Sequence, residues 1–214
     1  MQTKTGIDLY TWSTPNGRKV SILLEELGLP YRVFPVDITK NQQHDPDFIT
    51  LSPNNKIPAI VDHDVGISLM ESGAILMYLA SKTGLLISET GSKNYWQEMQ
   101  WLMFQMGGIG PMLGQTHHFV KFNPGQSAYA EQRYCQENRR LYGVLDRRLQ
   151  GRKYLCDSYS IVDIATWPWV SRFEWQQMDL EQFPHLMAWY LRIACRPAVK
   201  RGYGVPVDLP VPLP

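Results

Sequence analysis

Cysteine is scarce: Cys135, Cys156 and Cys195 are the three in 214 residues, and they lie far apart. An odd, scattered set builds no disulfide framework and reads as reduced thiols of a cytoplasmic protein. No stretch reaches the roughly 18 to 20 apolar residues that a membrane span needs. Met1-Gln2-Thr3-Lys4-Thr5 precedes no apolar secretory core, so a signal peptide is not expected. Net charge is nearly absent as well, with 21 Lys plus Arg against 20 Asp plus Glu and a balance of +1. Bulk electrostatics therefore draw the chain toward neither nucleic acid nor a membrane, and neither is expected as a partner. What remains is 44% apolar, 12% aromatic and 19% charged residues, a globular composition long enough for one large domain or two small ones.

The texture changes along the chain. Up to residue 83 there is one tryptophan, Trp12; the other six follow in a part that reads as helices only. Gly84 to Gly91 is the expected linker. In the first part, Asp8–Trp12 is a strand candidate. Thr14-Pro15 opens a helix as N-cap and first helical residue. Val20, Leu23, Leu24 and Leu27 form one buried face of that helix, and Gly28 suits its end. Tyr31–Val36 reads as an edge strand, and a polar loop runs through Asn41–His44. Ile57–Val61 and Ile67–Met70 read as two strands joined by a turn, and Ser72 is expected to cap a helix carrying Ile75, Leu76 and Leu79. The order β-α-β, loop, β-β, α fits a small α/β sheet. In the second part a helix with Trp96, Met99 and Met103 is expected to break at Gly107–Pro111. A longer helix carries Tyr134 to Leu149, Ser160 and Asp163 form a capping box, and a last helix holds Leu186 to Ile193. Val205–Pro214, with four prolines, is expected to be extended.

Four segments offer chemistry, each with a plainer alternative. Ser13-Thr14-Pro15-Asn16-Gly17 lies where strand meets helix, and outward amides there favour an anion such as a thiolate; Thr14 could equally be a cap alone. Asn54-Asn55-Lys56-Ile57-Pro58 ends in an X-Pro bond whose cis form would turn both backbone groups of Ile57 outward. Glu71-Ser72 at a helix start could hold an ammonium and a carboxylate, or Glu71 could merely complement the helix dipole. Gln43 in the loop says little alone.

Together, Pro-Asn-Asn-Lys-Ile-Pro-Ala, Glu-Ser-Gly-Ala-Ile-Leu-Met-Tyr-Leu and Ser160-Ile161-Val162-Asp163-Ile164-Ala165 resemble the cytosolic glutathione transferases, over about Ile7 to Lys200. Thr14–Gly17, Gly110–Gln115 and His117-His118-Phe119 look most like the nu class. The resemblance implies an α+β chain: a thioredoxin-like domain over 1–84, an all-α domain over 91–202 and a proline-rich tail over 203–214, paired as a homodimer. It also implies that one or two glutathione molecules, or glutathione disulfide, bind to Gln43, Lys56, Ile57, Pro58, Glu71, Ser72 and Arg133. Thr14 and Asn16 would donate to the sulfur and favour its thiolate. Trp12 and Phe119 would wall an apolar substrate group.

The implied activity is disulfide-bond oxidoreduction on small disulfides, with weaker transfer to electrophiles or peroxidase action. The alternative is a regulatory or interaction protein that keeps the glutathione pocket without turnover. No cysteine stands at the strand-to-helix corner, which argues against classes that use their own thiol. Tyr10 and Ser13 compete with Thr14 for the sulfur. His117-His118 is not expected to hold a metal, the cysteines are expected to be inert packing residues, and Trp167, Trp169 and Trp175 are expected in the core.

Overall fold

The computed structural model describes residues 5–214; the secretory-signal reading of the first four residues lies outside it. Four strands, β1 (Ile7–Thr11), β2 (Tyr31–Pro35), β3 (Ala59–Asp62) and β4 (Ile67–Met70), form one sheet in the order β2-β1-β3-β4. β1 runs parallel to β2 and antiparallel to β3, and β3 pairs antiparallel with β4. Leu9 faces Ile60 in register and both are completely buried. The next pair, Tyr10 with Ala59, takes the other face by the period-two rule. There Tyr10 stacks on Phe34 at 4.9 Å and packs against Val36, Phe48 and Ala59.

Helix α1 (Pro15–Leu27) begins as the sequence suggests: Thr14 accepts from the Gly17 amide, and Gly28 closes the helix in the left-handed region at φ 64°. Gly17 is required by contact, because a Cβ there would lie 2.3 Å from the Trp12 carbonyl oxygen and 2.4 Å from Thr11 Oγ1. The polar loop holds two short 3-10 turns and then α2 (Pro46–Leu51), a helix too short for its periodicity to be read in advance. α3 (Ser72–Thr83) packs on β3, β4 and α1. Its N-cap is Glu71 rather than the expected Ser72, which is already the first helical residue.

The described chain divides into two compact units, 5–85 with 196–211, and 86–195 with 212–214. This differs from the expected helical boundary at 202. The cause is α9 (Pro197–Tyr203), a helix absent from the sequence reading, which packs on α1. Ser21 Oγ donates to Gly202 O at 2.7 Å, and the buried Arg18 guanidinium lies 3.5 Å above the Tyr203 ring. Bidentate Arg196–Glu26 and single Arg201–Glu25 contacts complete the pairing.

The helical unit holds α4 (Lys93–Phe104), α5 (Gly110–Thr116), α6 (Ala128–Leu149), α7 (Ile161–Val170) and α8 (Pro184–Ala194). The expected break at Gly107–Pro111 does not occur. A π-helical turn over Gln105–Ile109 carries α4 into α5, and Pro111 is accommodated directly after that wider turn. Every residue of α7 is buried. The capping box forms: Ser160 Oγ accepts from Val162 N, and Asp163 accepts from Ser160 N. Asp163 also takes bonds from Leu155 N and Trp189 Nε1, and burial pushes its carboxyl up to about 6. Val205–Pro214 forms neither helix nor strand, as expected.

Candidate functional site

The strand-to-helix corner of the first unit presents Trp12, Ser13, Thr14 and Asn16 half-buried, beside buried Pro15 and Gly17. Thr14 Oγ1 accepts from Gly17 N at 3.2 Å, so its own proton is directed elsewhere. Cap and donor are therefore compatible roles for one hydroxyl, which has one proton and two lone pairs.

On the approach to β3, Ile57–Pro58 is cis, as the sequence suggested. Among the described residues, the backbone N–H and C=O of Ile57 make no hydrogen bond. Its side chain packs against Val36, Phe48 and Ala59, which fixes the segment while its polar groups stay available. Lys56 is exposed, and its carbonyl is held by Ser52 Oγ at 2.8 Å. Gln43, in the second 3-10 turn, has a buried Oε1 that accepts no bond among the described residues.

At the head of α3, Glu71 adopts φ 69°, a conformation that costs a non-glycine residue about 1–3 kcal/mol. Its carboxylate caps nothing and stands exposed, while Ser72 beside it is 5% exposed. An exposed carboxylate on a strained backbone, next to a buried hydroxyl and the helix amides, suits a ligand with both an ammonium and a carboxylate.

In the helical unit, exposed Arg133 lines a cavity of about 390 Å³ with Met112, Tyr134, Gln136, Glu137 and Arg140. Arg140 is engaged in a bidentate pair with Glu137. Phe119 stacks on Tyr134 at 5.5 Å and is half-buried.

The family model for the glutathione S-transferase N-terminal domain matches residues 5–81, and that for the C-terminal domain matches 109–197. The chain is 50% identical to the disulfide-bond oxidoreductase YfcG of Escherichia coli, over 90% of this chain and 92% of that one. It belongs to the glutathione S-transferase family. The fold agrees: a glutathione transferase from Pseudomonas putida, solved with one glutathione disulfide per subunit, superposes with a TM-score of 0.90 at 44% identity, covering 96% of this chain and 94% of that one. A glutathione transferase from Burkholderia graminis, with two glutathione molecules per subunit, gives 0.88 at 46% identity, covering 94% and 88%.

Within this glutathione S-transferase, the competing candidates fall into plain roles. Tyr10 is committed to the aromatic cluster with Phe34 and Phe48, and burial raises its phenol. His117 is buried between Trp169 and Trp175, shares a hydrogen bond of 3.1 Å with Gln176 and is held neutral by burial, at about 4. His118 is exposed, so the adjacent histidines diverge. Among the described residues there is no group of three potential metal-ligating side chains. Trp167 and Trp169 are core, whereas Trp175 is only half-buried.

The cysteines all belong to the helical unit. Burial pushes Cys156 up to about 12 and raises Cys135, so neither is a ready thiolate. Cys195 is exposed, contrary to its expected role in packing.

One residue of the first unit escaped the sequence reading. Lys19, 1% exposed, places Nζ 3.3 Å from Ser72 Oγ. The available signal was its position four residues before Leu23, on the apolar stripe of α1, where a lysine is out of place.

Proposed function

We propose that the protein is a glutathione-dependent disulfide-bond oxidoreductase, most like the nu class, that uses the thiolate of bound glutathione as its sulfur reagent. The reading rests on the corner before α1, which carries Thr14 and Asn16 and has no cysteine. The named activity of the 50%-identical relative and the glutathione ligands of the two solved relatives support it over a non-catalytic binding role. No described helix is long and apolar enough to cross a membrane.

In this reading Glu71 takes the ammonium of the γ-glutamyl end and Ser72 its carboxylate. Ile57, before Pro58, exchanges two backbone bonds with the cysteinyl part, and Lys56 and Gln43 attend the glycyl carboxylate. Thr14 and Asn16 donate to the sulfur, which stabilises the thiolate over the thiol. That thiolate attacks one sulfur of a small disulfide, forming a mixed disulfide and expelling one thiolate. A second glutathione thiolate then attacks the glutathione sulfur of the mixed disulfide, giving glutathione disulfide and the second product thiolate. Arg133 is the proposed partner of a carboxylate on the second glutathione, while Trp12 and Phe119 serve apolar substrate groups. Trp96 and Met103, exposed seven residues apart on α4, would be covered by a second copy in the expected homodimer.

Hydroxyethyl disulfide with glutathione tests the activity. Replacing all three cysteines by Ser or Ala is expected to leave turnover largely intact. A folded variant that binds glutathione but has lost turnover would place a protein thiol in the reaction.

Glu71→Ala tests the ligand's seat. A charge-assisted hydrogen bond is worth about 1.5–3 kcal/mol, so glutathione affinity should fall about 10- to 100-fold with little change in melting temperature. Calorimetry giving equal affinities would remove Glu71 from the site.

A further inference from the structure

Lys19 is a buried charge of the first unit that the steps above leave unused. It lies on the second turn of α1, three residues after Asn16, and helical side chains lean back toward the N-terminus. Nζ donates to Ser72 Oγ at 3.3 Å. An ammonium has no acceptor, so the Ser72 oxygen accepts here and its hydroxyl proton is directed away from Lys19. The bond ties the thiolate-directed helix to the first residue of α3.

We propose that Lys19 is a positioning residue for the γ-glutamyl end of glutathione, fixing Ser72 through this hydrogen bond and setting a buried positive charge behind its hydroxyl. This rests on the assignment of Glu71 and Ser72 as the γ-glutamyl seat. Burial lowers Lys19 to about 7 against the opposing field of Glu71, so the ammonium is only partly formed near neutrality. The other charges on the packed elements are engaged with named partners or exposed. Arg18 bonds to the Tyr203 carbonyl, Arg196 and Arg201 pair with Glu26 and Glu25, and Lys82 of α3 pairs with Asp62. Lys200 of α9 is exposed, and Asp8 of β1 is held by Arg32 and His63. A carboxylate arriving at Ser72 adds negative charge beside the amine and favours its protonated form, so binding takes up a proton.

S-methylglutathione is the probe, because it has no thiol whose ionisation would release a proton. Its binding is measured by calorimetry between about pH 6 and about pH 8, in buffers of different ionisation enthalpy. By linkage, the wild-type affinity should fall about five- to tenfold across that range, with net proton uptake near neutrality. Lys19→Met should bind about tenfold more weakly at the acid end and lose both the uptake and the pH dependence. Wild-type binding without proton uptake overturns the inference, with no variant needed. So does a Lys19→Met protein that matches wild type in affinity and uptake. A wild type that fails to bind S-methylglutathione overturns the functional reading itself.

Discussion

Thr14→Ala is expected to lower kcat/KM for glutathione-driven disulfide reduction by about 10- to 100-fold, the equivalent of a lost hydrogen bond to a charged acceptor. Part of the loss should appear as a raised apparent thiol pKa, about one unit for each 1.4 kcal/mol. The same change removes the acceptor for Gly17 N at 3.2 Å. The cap alone should then cost about 1 kcal/mol of stability. Thr14→Ser keeps donor and cap together and should retain most of both. Asn16→Ala leaves the cap intact, which makes it the cleaner measure of the sulfur contact. The assay is turnover against pH for all four proteins, with melting temperatures alongside. Ala variants matching wild type in rate and thiol pKa would reduce both residues to structural parts and pass the role to Ser13.

Gly17→Ala should be strongly destabilising for the first unit. The added carbon meets the Trp12 carbonyl oxygen at 2.3 Å and Thr11 Oγ1 at 2.4 Å, so backbone has to move. Overpacking of this severity costs about 3 kcal/mol. In a chain of this size that lowers Tm by about 6–12 °C. The displaced segment, Trp12 to Thr14, also carries Thr14, the proposed donor to the glutathione sulfur, so turnover should fall even below the melting range. An unchanged Tm with full activity would mean that the corner relaxes freely.

The parts that could be read in advance follow from local rules. The Thr14 cap, the Val20–Leu27 stripe, the Gly28 stop and the Ser160–Asp163 box are each set by residues within one or two turns. The strands were legible because their apolar runs end at turn residues. Elements fixed by distant contacts were not: α2 is six residues long, and α9 begins at Pro197 with no clear stripe. The continuous path from α4 into α5 defeats the usual meaning of Gly-Gly and Gly-Pro, because a π-helical turn absorbs Gly107-Gly108 and Gly110-Pro111 opens α5 directly after it. At the site, Glu71 and Ser72 were visible as residue types. The φ of 69° at Glu71 and the amine under Ser72 depend on packing between α1 and α3. Cys195 shows the opposite failure, since a cysteine near an apolar helix end can still face water.

The seam between α1 and α9 has a consequence for how the protein is made. A Cβ at Gly202 would lie 2.5 Å from the Ile22 Cα, so these two backbones touch with nothing between them. Residues about 180 positions apart in the chain thus close the same unit, with residues 86–195 of the helical unit synthesised in the interval. During vectorial synthesis the sheet of the first unit emerges early, yet the α1 surface that α9 covers stays open until residues 197–203 have left the ribosome. Its last packing step waits for residues 86–195 to be made first, and a gene fragment ending at residue 85 would encode the sheet without the helix that seals it.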